Sequence, residues 1–164
     1  MEDASCYPIR GQIALVRNDA ACNFSVSGTD DREEDSCYGM ARAGGGGTVL
    51  GGCGQVGCWD GDVDMGLAER IMERGKKVLG WKGGLDVVRH AVGLRPGREG
   101  GVRLEWERIG EEGVKVVKVV HNYGHAGVGY QVSEYSIFFS FPWDWVFSFL
   151  LYFGFLKRGV ANCF

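Results

Sequence analysis

Apolar residues follow two different periods along this chain, and each period predicts one kind of secondary structure. Short apolar runs bounded by turn-forming residues occur at 11–18 (GQIALVRN) and 47–52 (GTVLGG), and these runs predict two strands. The stretch between them, 19–37, is polar and acidic, and it is predicted to be a surface loop.

From Asp64 onward the period changes to that of a helix. Charged residues take one face, and the opposite face carries Leu67, Ala68, Ile71, Met72, Val78 and Leu79. This spacing predicts an amphipathic helix with Asp64 as its N-cap.

Strict alternation begins at Val102, where Val102, Leu104 and Trp106 are separated by charged residues. It predicts a strand with one buried and one solvated face. The GEEG turn at 110–113 and the apolar run after it predict a hairpin. Together these patterns predict an α+β fold, with a mixed or antiparallel sheet and a covering helix.

Composition narrows the class of protein. The 164 residues are 45% hydrophobic and 24% charged, which is typical of a globular domain. The net charge of −3, with scattered basic residues, gives no electrostatic basis for binding nucleic acid. The six cysteines form no C-x-x-C pair and the first residues do not resemble a secretory signal, so reduced thiols are expected.

The last part of the chain differs sharply in composition. The stretch 136–158, which begins at Ser136 and closes with Lys157 and Arg158, is apolar, aromatic and long enough to cross a bilayer. Pro142 and Asp144 within it oppose insertion. A second hypothesis is that the tail from Val132 is translated from an unspliced intron, which would make its hydrophobicity incidental.

Gly52, Gly54 and Gly57 match the dinucleotide fingerprint G-x-G-x-x-G. That fingerprint requires the glycines to form the turn between a strand and the helix that receives the pyrophosphate. Here the predicted helix begins about seven residues later, so we interpret the match as accidental. A nicotinamide-binding module at these glycines is the alternative.

Three further residues are candidates for chemistry. His121 and His125 have the four-residue offset of a helical zinc pair, but the glycines around them predict a loop, and no metal site is expected. That glycine-rich turn, 124–129, could bring backbone N–H groups close to a flat or anionic ligand, or it could be an ordinary turn. Arg95 follows an apolar run beside Pro96, where it could bind a carboxylate bidentately or lie solvated at the surface.

Four segments, in order, resemble the C-terminal portion of the D-amino acid oxidase family, with a preference for its fungal branch. They are YPIRGQIALV, GGCGQVGCWD, DVVRHAVGLRPGREGGVRLE and VVHNYGHAGVGYQ. The resemblance covers about 7–131. It divides the chain into a partial oxidase domain, 1–131, and an unrelated hydrophobic tail, 132–164.

The resemblance implies an FAD-dependent oxidoreductase that converts a D-amino acid and oxygen to a 2-oxo acid, ammonia and peroxide. No side chain serves as a general acid or base in this family. Arg95 and Tyr38 would bind the substrate carboxylate, and the Gly127 carbonyl would meet the amine. The flavin would be lined by Ala126, Gly127, Val128, Gly129, Tyr130 and Gln131.

The departures from the family pattern also carry expectations. Relatives begin with a Rossmann unit that holds the adenosine diphosphate of FAD, so weak FAD binding and little or no turnover are expected of this chain. Gly54 stands where relatives often carry a tyrosine. The family is peroxisomal or cytoplasmic, yet the C-terminus, ANCF, has no S-K-L-like address. A D-aspartate oxidase-like member and a noncatalytic membrane-associated fragment are the alternatives.

Overall fold

The computed structural model describes residues 3–27, 35–110 and 116–132. The chain divides into two compact units, 1–97 and 98–164. The first unit contains most of the sheet and the helix, and the second contains a hairpin and the turn that follows it. The predicted fold class, largely sheet with a covering helix, is confirmed.

The first unit is built on a six-stranded sheet. Its elements are β1 Cys6–Val16, β2 Phe24–Val26, β3 Asp35–Ala41, a 3-10 turn Ala43–Gly45, β4 Thr48–Cys53, β5 Gln55–Val56, α1 Met65–Leu79 and β6 Val87–Arg98. The strand order is β2-β3-β4-β1-β5, and β6 pairs with β1. The pairs β2–β3, β3–β4, β1–β4 and β1–β5 are antiparallel.

The predicted helix is confirmed, and so is its N-cap. The Asp64 carboxylate accepts a hydrogen bond from the backbone N–H of Leu67 at 3.0 Å, which satisfies one of the free donors of the first turn. Leu67 and Ile71 are buried in one cluster with Ala14 and Leu50 of the sheet. The apolar face of α1 therefore covers β1 and β4, and this contact is the core of the unit.

The predicted surface loop over 19–37 is wrong, because β2 and the start of β3 lie within it. The ring of Phe24 packs against Gly39, its partner across the two strands, and Cys37 is buried. Polar residues on the outward side of these short strands dilute the apolar pattern, so the composition suggested a loop where tertiary packing forms strands. Residues 28–34 lie outside the described part of the chain.

The second unit confirms the predicted hairpin. Strands β7, Arg103–Ile109, and β8, Val117–Tyr123, pair antiparallel from Arg103↔Tyr123 to Ile109↔Val117. The predicted buried face is wrong, because Val102 and Trp106 are each 45% exposed. Within the described residues of this unit no helix or second sheet covers the hairpin, so alternation alone does not bury a face.

The predicted tail, 132–164, lies outside the described residues except for Val132. Among the residues that the structure describes, no helix is both long enough and apolar enough to cross a bilayer.

Candidate functional site

The two faces of the sheet differ in what covers them. On β1, Ala14 and Val16 are fully buried in the cluster with α1, and side chains alternate along a strand. The odd-numbered positions of β1, including Gly11 and Ile13, therefore lie on the face turned away from α1. We call this the far face.

Arg95 lies on the far face. It extends from β6 across Gly11, and its Nη1 donates a hydrogen bond to the main-chain oxygen of Cys53 at 2.9 Å. The backbone at Arg95 is extended, because β6 continues through Pro96 to Arg98. Pro96 is tolerated there because β6 has its described partner, β1, on one side only.

A cavity of about 300 Å³ lies beside the Arg95 side chain. Its walls come from β1 and β6, and they are Gly11, Ile13, Ala91, Val92, Gly93, Leu94 and Arg95. Among the described residues that line it, the guanidinium is the single charged group. The cavity can therefore offer one cationic contact and otherwise apolar surface.

Tyr38 lies on the same face as Arg95. It pairs with Gly51 of β4, and Gly51 in turn pairs with Ile13 of β1. The Tyr38 ring packs directly on Gly51, and its hydroxyl lies 3.1 Å from where a Cβ of Gly52 would stand. Gly11 and Ile13 are two residues apart on β1, which is about 7 Å. The structure thus places two of the predicted carboxylate-binding residues over neighbouring positions of one sheet face.

The three glycines of the fingerprint do not precede a helix. Gly52 lies in β4, Gly54 separates β4 from β5, and Gly57 forms a turn at φ 74°. The helix begins only at Met65. The geometry that a dinucleotide fingerprint needs is therefore missing at these residues, as the sequence indicated.

A buried polar network under α1 was missed by the sequence analysis. Arg10, only 2% exposed, donates hydrogen bonds to the main-chain oxygens of Asp60 and Asp62 and to the side-chain oxygens of Gln12 and Gln55. Gln12 also bonds both the N–H and the C=O of Asp64. The network holds the segment before α1 against β1. The sequence does carry a signal for this network, because Arg10 and Gln12 are polar residues at inward positions of the otherwise apolar strand β1.

A second buried cluster ties α1 to the sheet behind Tyr38. Arg74 pairs with Asp35 at 2.8 Å and donates to the main-chain oxygen of Gly52 at 3.3 Å, while Arg70 reaches the same Asp35 oxygen at 3.3 Å. The side chains of Asp35 and Arg74 are 4% and 8% exposed. The cluster fixes β4 at Gly52, where the Tyr38 hydroxyl lies on the opposite face.

The loop predicted to contact the flavin lies in the second unit, directly after β8. Gly124 has φ 85° and Ala126 has φ 50°, so the chain reverses sharply here. The N–H of Val128 donates to the carbonyl of His125 at 3.1 Å, and the N–H of Val132 donates to the carbonyl of Val128 at 3.1 Å. The result is a pair of tight turns with exposed main chain near Gly127.

The two histidines do not form a pair. His121 lies in β8 with Nε2 at 2.7 Å from a carboxylate oxygen of Glu107, while His125 lies in the turn. Across the described ranges no three histidine, cysteine or acidic side chains converge in a way that could hold a metal ion. The side chain of His121 instead belongs to a polar ladder that also contains Arg103 and Tyr123.

No family model matches the chain. Curated proteins do match it. The D-amino-acid oxidase of Fusarium vanettenii is 46% identical over 139 residues, which is 81% of this chain and 37% of that protein. The D-amino-acid oxidase of Rubrobacter xylanophilus is 37% identical over 131 residues, and that of Schizosaccharomyces pombe 30% identical over 137. The chain spans between 37% and 38% of the length of these relatives.

A solved structure has the same fold. Glycine oxidase from Bacillus cereus superimposes with a TM-score of 0.57 over 80% of this chain and 34% of that one, at 18% identity. The described sheet and helix therefore have the fold of part of an amino-acid oxidase. The sequence matches show the family: over about four fifths of its length, the chain belongs to the D-amino acid oxidase family.

Proposed function

We propose that this protein takes part in the FAD-dependent oxidation of D-amino acids, and that its first unit binds the substrate carboxylate through Arg95 and Tyr38. One observation carries the proposal: both side chains lie on the far face, Arg95 over Gly11 of β1 and Tyr38 over Gly51 of the adjacent strand β4. A guanidinium fork and a phenol on one surface are suited to a planar carboxylate.

The surroundings of Arg95 support this role. One of its five N–H donors is used by the main-chain oxygen of Cys53, which fixes the guanidinium before a ligand arrives. Pre-organisation of this kind lowers the entropy lost on binding. The adjoining cavity, with apolar walls that include Ile13, Val92 and Leu94, is suited to a neutral side chain rather than a second carboxylate.

The turn after β8 would contribute to the flavin site. A flat ring needs close approach of main chain, and the tight turns formed at Gly124 and Ala126 leave the next residue, Gly127, exposed and without a side chain. Ala126, Gly127, Val128, Gly129, Tyr130 and Gln131 would line the flavin, with the Gly127 carbonyl accepting a hydrogen bond from the substrate amine. FAD, when bound, would accept the hydride from the substrate Cα. The residues of this chain would contribute position rather than acid–base chemistry.

Carboxylate binding and turnover are expected to be separable in this chain. Arg95, Tyr38 and the cavity all lie within 1–97. By contrast, the described residues offer FAD only the short turn after β8. We therefore expect the 164-residue chain to bind D-alanine weakly, to bind FAD poorly, and to release no appreciable peroxide. Rapid peroxide release from D-alanine with added FAD would contradict this expectation.

The test of the proposal is an NMR titration of the full chain with D-alanine, comparing wild type with Arg95→Ala and Arg17→Ala. Arg17 is the matched control, because its side chain is 71% exposed and lies away from the cavity lining. We expect Arg95→Ala to weaken binding by about tenfold or more, since charge-assisted bidentate bonds are lost. Absence of binding by the wild type, or equal binding by both variants, would overturn the carboxylate role.

A further inference from the structure

Arg95 can pack closely on the sheet because the residue beneath it, Gly11, has no side chain. A Cβ built on Gly11 would collide with Nη1, Cζ and Nη2 of Arg95 at nearly equal distances. Three guanidinium atoms equally close to one point mean that the flat group lies face down on the Gly11 backbone. Its edge, where the N–H donors are, is then directed along the far face.

Tyr38 packs closely on the sheet for the same reason, because Gly51 beneath it has no side chain. A Cβ on Gly51 would collide with the phenol ring and its hydroxyl. Two other glycines of the same sheet region have open space instead. Gly54, three residues further on, would place a Cβ no closer than 4.0 Å to Ile9, and Gly93 of β6 has nothing within 4 Å. Close approach does occur elsewhere in the sheet, as at Gly97 under Tyr7 and at Gly39 under Phe24. What distinguishes Gly11 and Gly51 is that the groups packed on them are the two proposed carboxylate ligands.

We propose that Gly11 and Gly51 are positioning residues that set the geometry of the carboxylate site. This inference rests on the proposed function. A methyl group at Gly11 would lift the guanidinium from the sheet and break its bond to Cys53, and one at Gly51 would lift the phenol. Because Ile13 pairs with Gly51 and follows Gly11 by two residues, Gly11 and Gly51 both face the same side of the sheet. The spacing of the two ligating groups is therefore fixed by the backbones of β1 and β4.

The first experiment titrates D-alanine into the full chain and follows the Arg95 Nε–H and Tyr38 ring signals by NMR. Wild type, Gly11→Ala and Gly51→Ala are compared with Gly54→Ala, for which the structure leaves space. We expect Gly11→Ala and Gly51→Ala to bind D-alanine at least about fivefold more weakly than wild type, and Gly54→Ala to bind it equally well. If wild type does not bind, the proposed function fails. If wild type binds and Gly11→Ala binds equally well, the inference alone is wrong.

A second experiment separates positioning from a general loss of folding. Thermal midpoints are measured for Gly11→Ala in the presence of Arg95 and again in an Arg95→Ala background. If the clash is with the guanidinium, the methyl group lowers the midpoint in the first case and has at most half that effect in the second. An equal decrease in both backgrounds would show that Gly11 has a merely structural role, and the inference would be rejected.

Discussion

The buried guanidinium of Arg10 allows a quantitative prediction about how the segment before α1 is held. Its donors reach four oxygen atoms: Nε bonds Asp60 at 2.9 Å, Nη1 bonds Gln55 at 2.9 Å, and Nη2 bonds Gln12 at 2.9 Å and Asp62 at 2.5 Å. Replacement of Arg10 by alanine would remove all four bonds at once. It would also leave an empty volume in a site where Arg10 is only 2% exposed.

The magnitude follows from these contacts. A hydrogen bond to a charged group contributes about 1.5–3 kcal/mol, and an acceptor left buried and unpaired costs about 1–3 kcal/mol. The bonds share one side chain and are not additive, and water can enter the vacated space. We therefore expect Arg10→Ala to lower the free energy of unfolding by about 3–5 kcal/mol. That is a large part of the roughly 5–15 kcal/mol that holds a domain folded.

Urea unfolding followed by circular dichroism measures this loss, with Arg17→Ala as the control. Arg17 pairs with Asp86 at 3.4 Å, but both side chains are about two-thirds exposed, at 71% and 67%. A solvated pair of this kind contributes less than about 1 kcal/mol. The reasoning would be refuted if Arg10→Ala and Arg17→Ala lowered the free energy of unfolding equally.

Three further predictions concern α1 and the turn after β8. Gly75→Ala is expected to lower the free energy of unfolding in urea by about 1–2 kcal/mol, because the new Cβ would stand 2.8 Å from the buried Leu50. This overpacking exceeds the gain in helix propensity. A more stable variant would contradict the prediction. The hydrogen bond from the N–H of Leu67 lowers the pKa of Asp64 below its ordinary value, so the charged cap stabilises the fold above the unfolded-state pKa and this contribution is lost as the pH falls through the folded-state pKa. The thermal midpoint should therefore decrease less in acid for Asp64→Asn than for wild type, and an equal decrease would contradict this. Ala126→Gly should raise the midpoint slightly, since φ 50° costs an alanine about 1 kcal/mol, and a lower midpoint would count against strain at this position.

The sequence predicted the elements whose pattern is local. Helix α1 was found because its apolar spacing and the Asp64 cap lie within one segment, and β1, β4 and the β7–β8 hairpin were found from apolar runs between turns. It did not predict β5 or β6, and it failed for β2 and β3, where the partial burial of Phe24 and the full burial of Cys37 depend on pairing with strands distant in the chain. It also predicted a buried face at Trp106, although alternation gives the direction of a side chain and does not show what covers it.

The residue types available for chemistry, the helix and four of the eight described strands could be read from the sequence, together with a family resemblance that the comparisons confirmed. That Tyr38 and Arg95, 57 positions apart, lie on one sheet face could not be read from the sequence, since it depends on the pairing of β3, β4, β1 and β6. The tertiary structure likewise decided what the glycines at 51 and 52 do. Gly52 belongs to a match to a phosphate-binding motif, whereas in the fold Gly51 and Gly52 leave room for a phenol ring. Close approach of this kind is set by long-range strand pairing and not by local spacing.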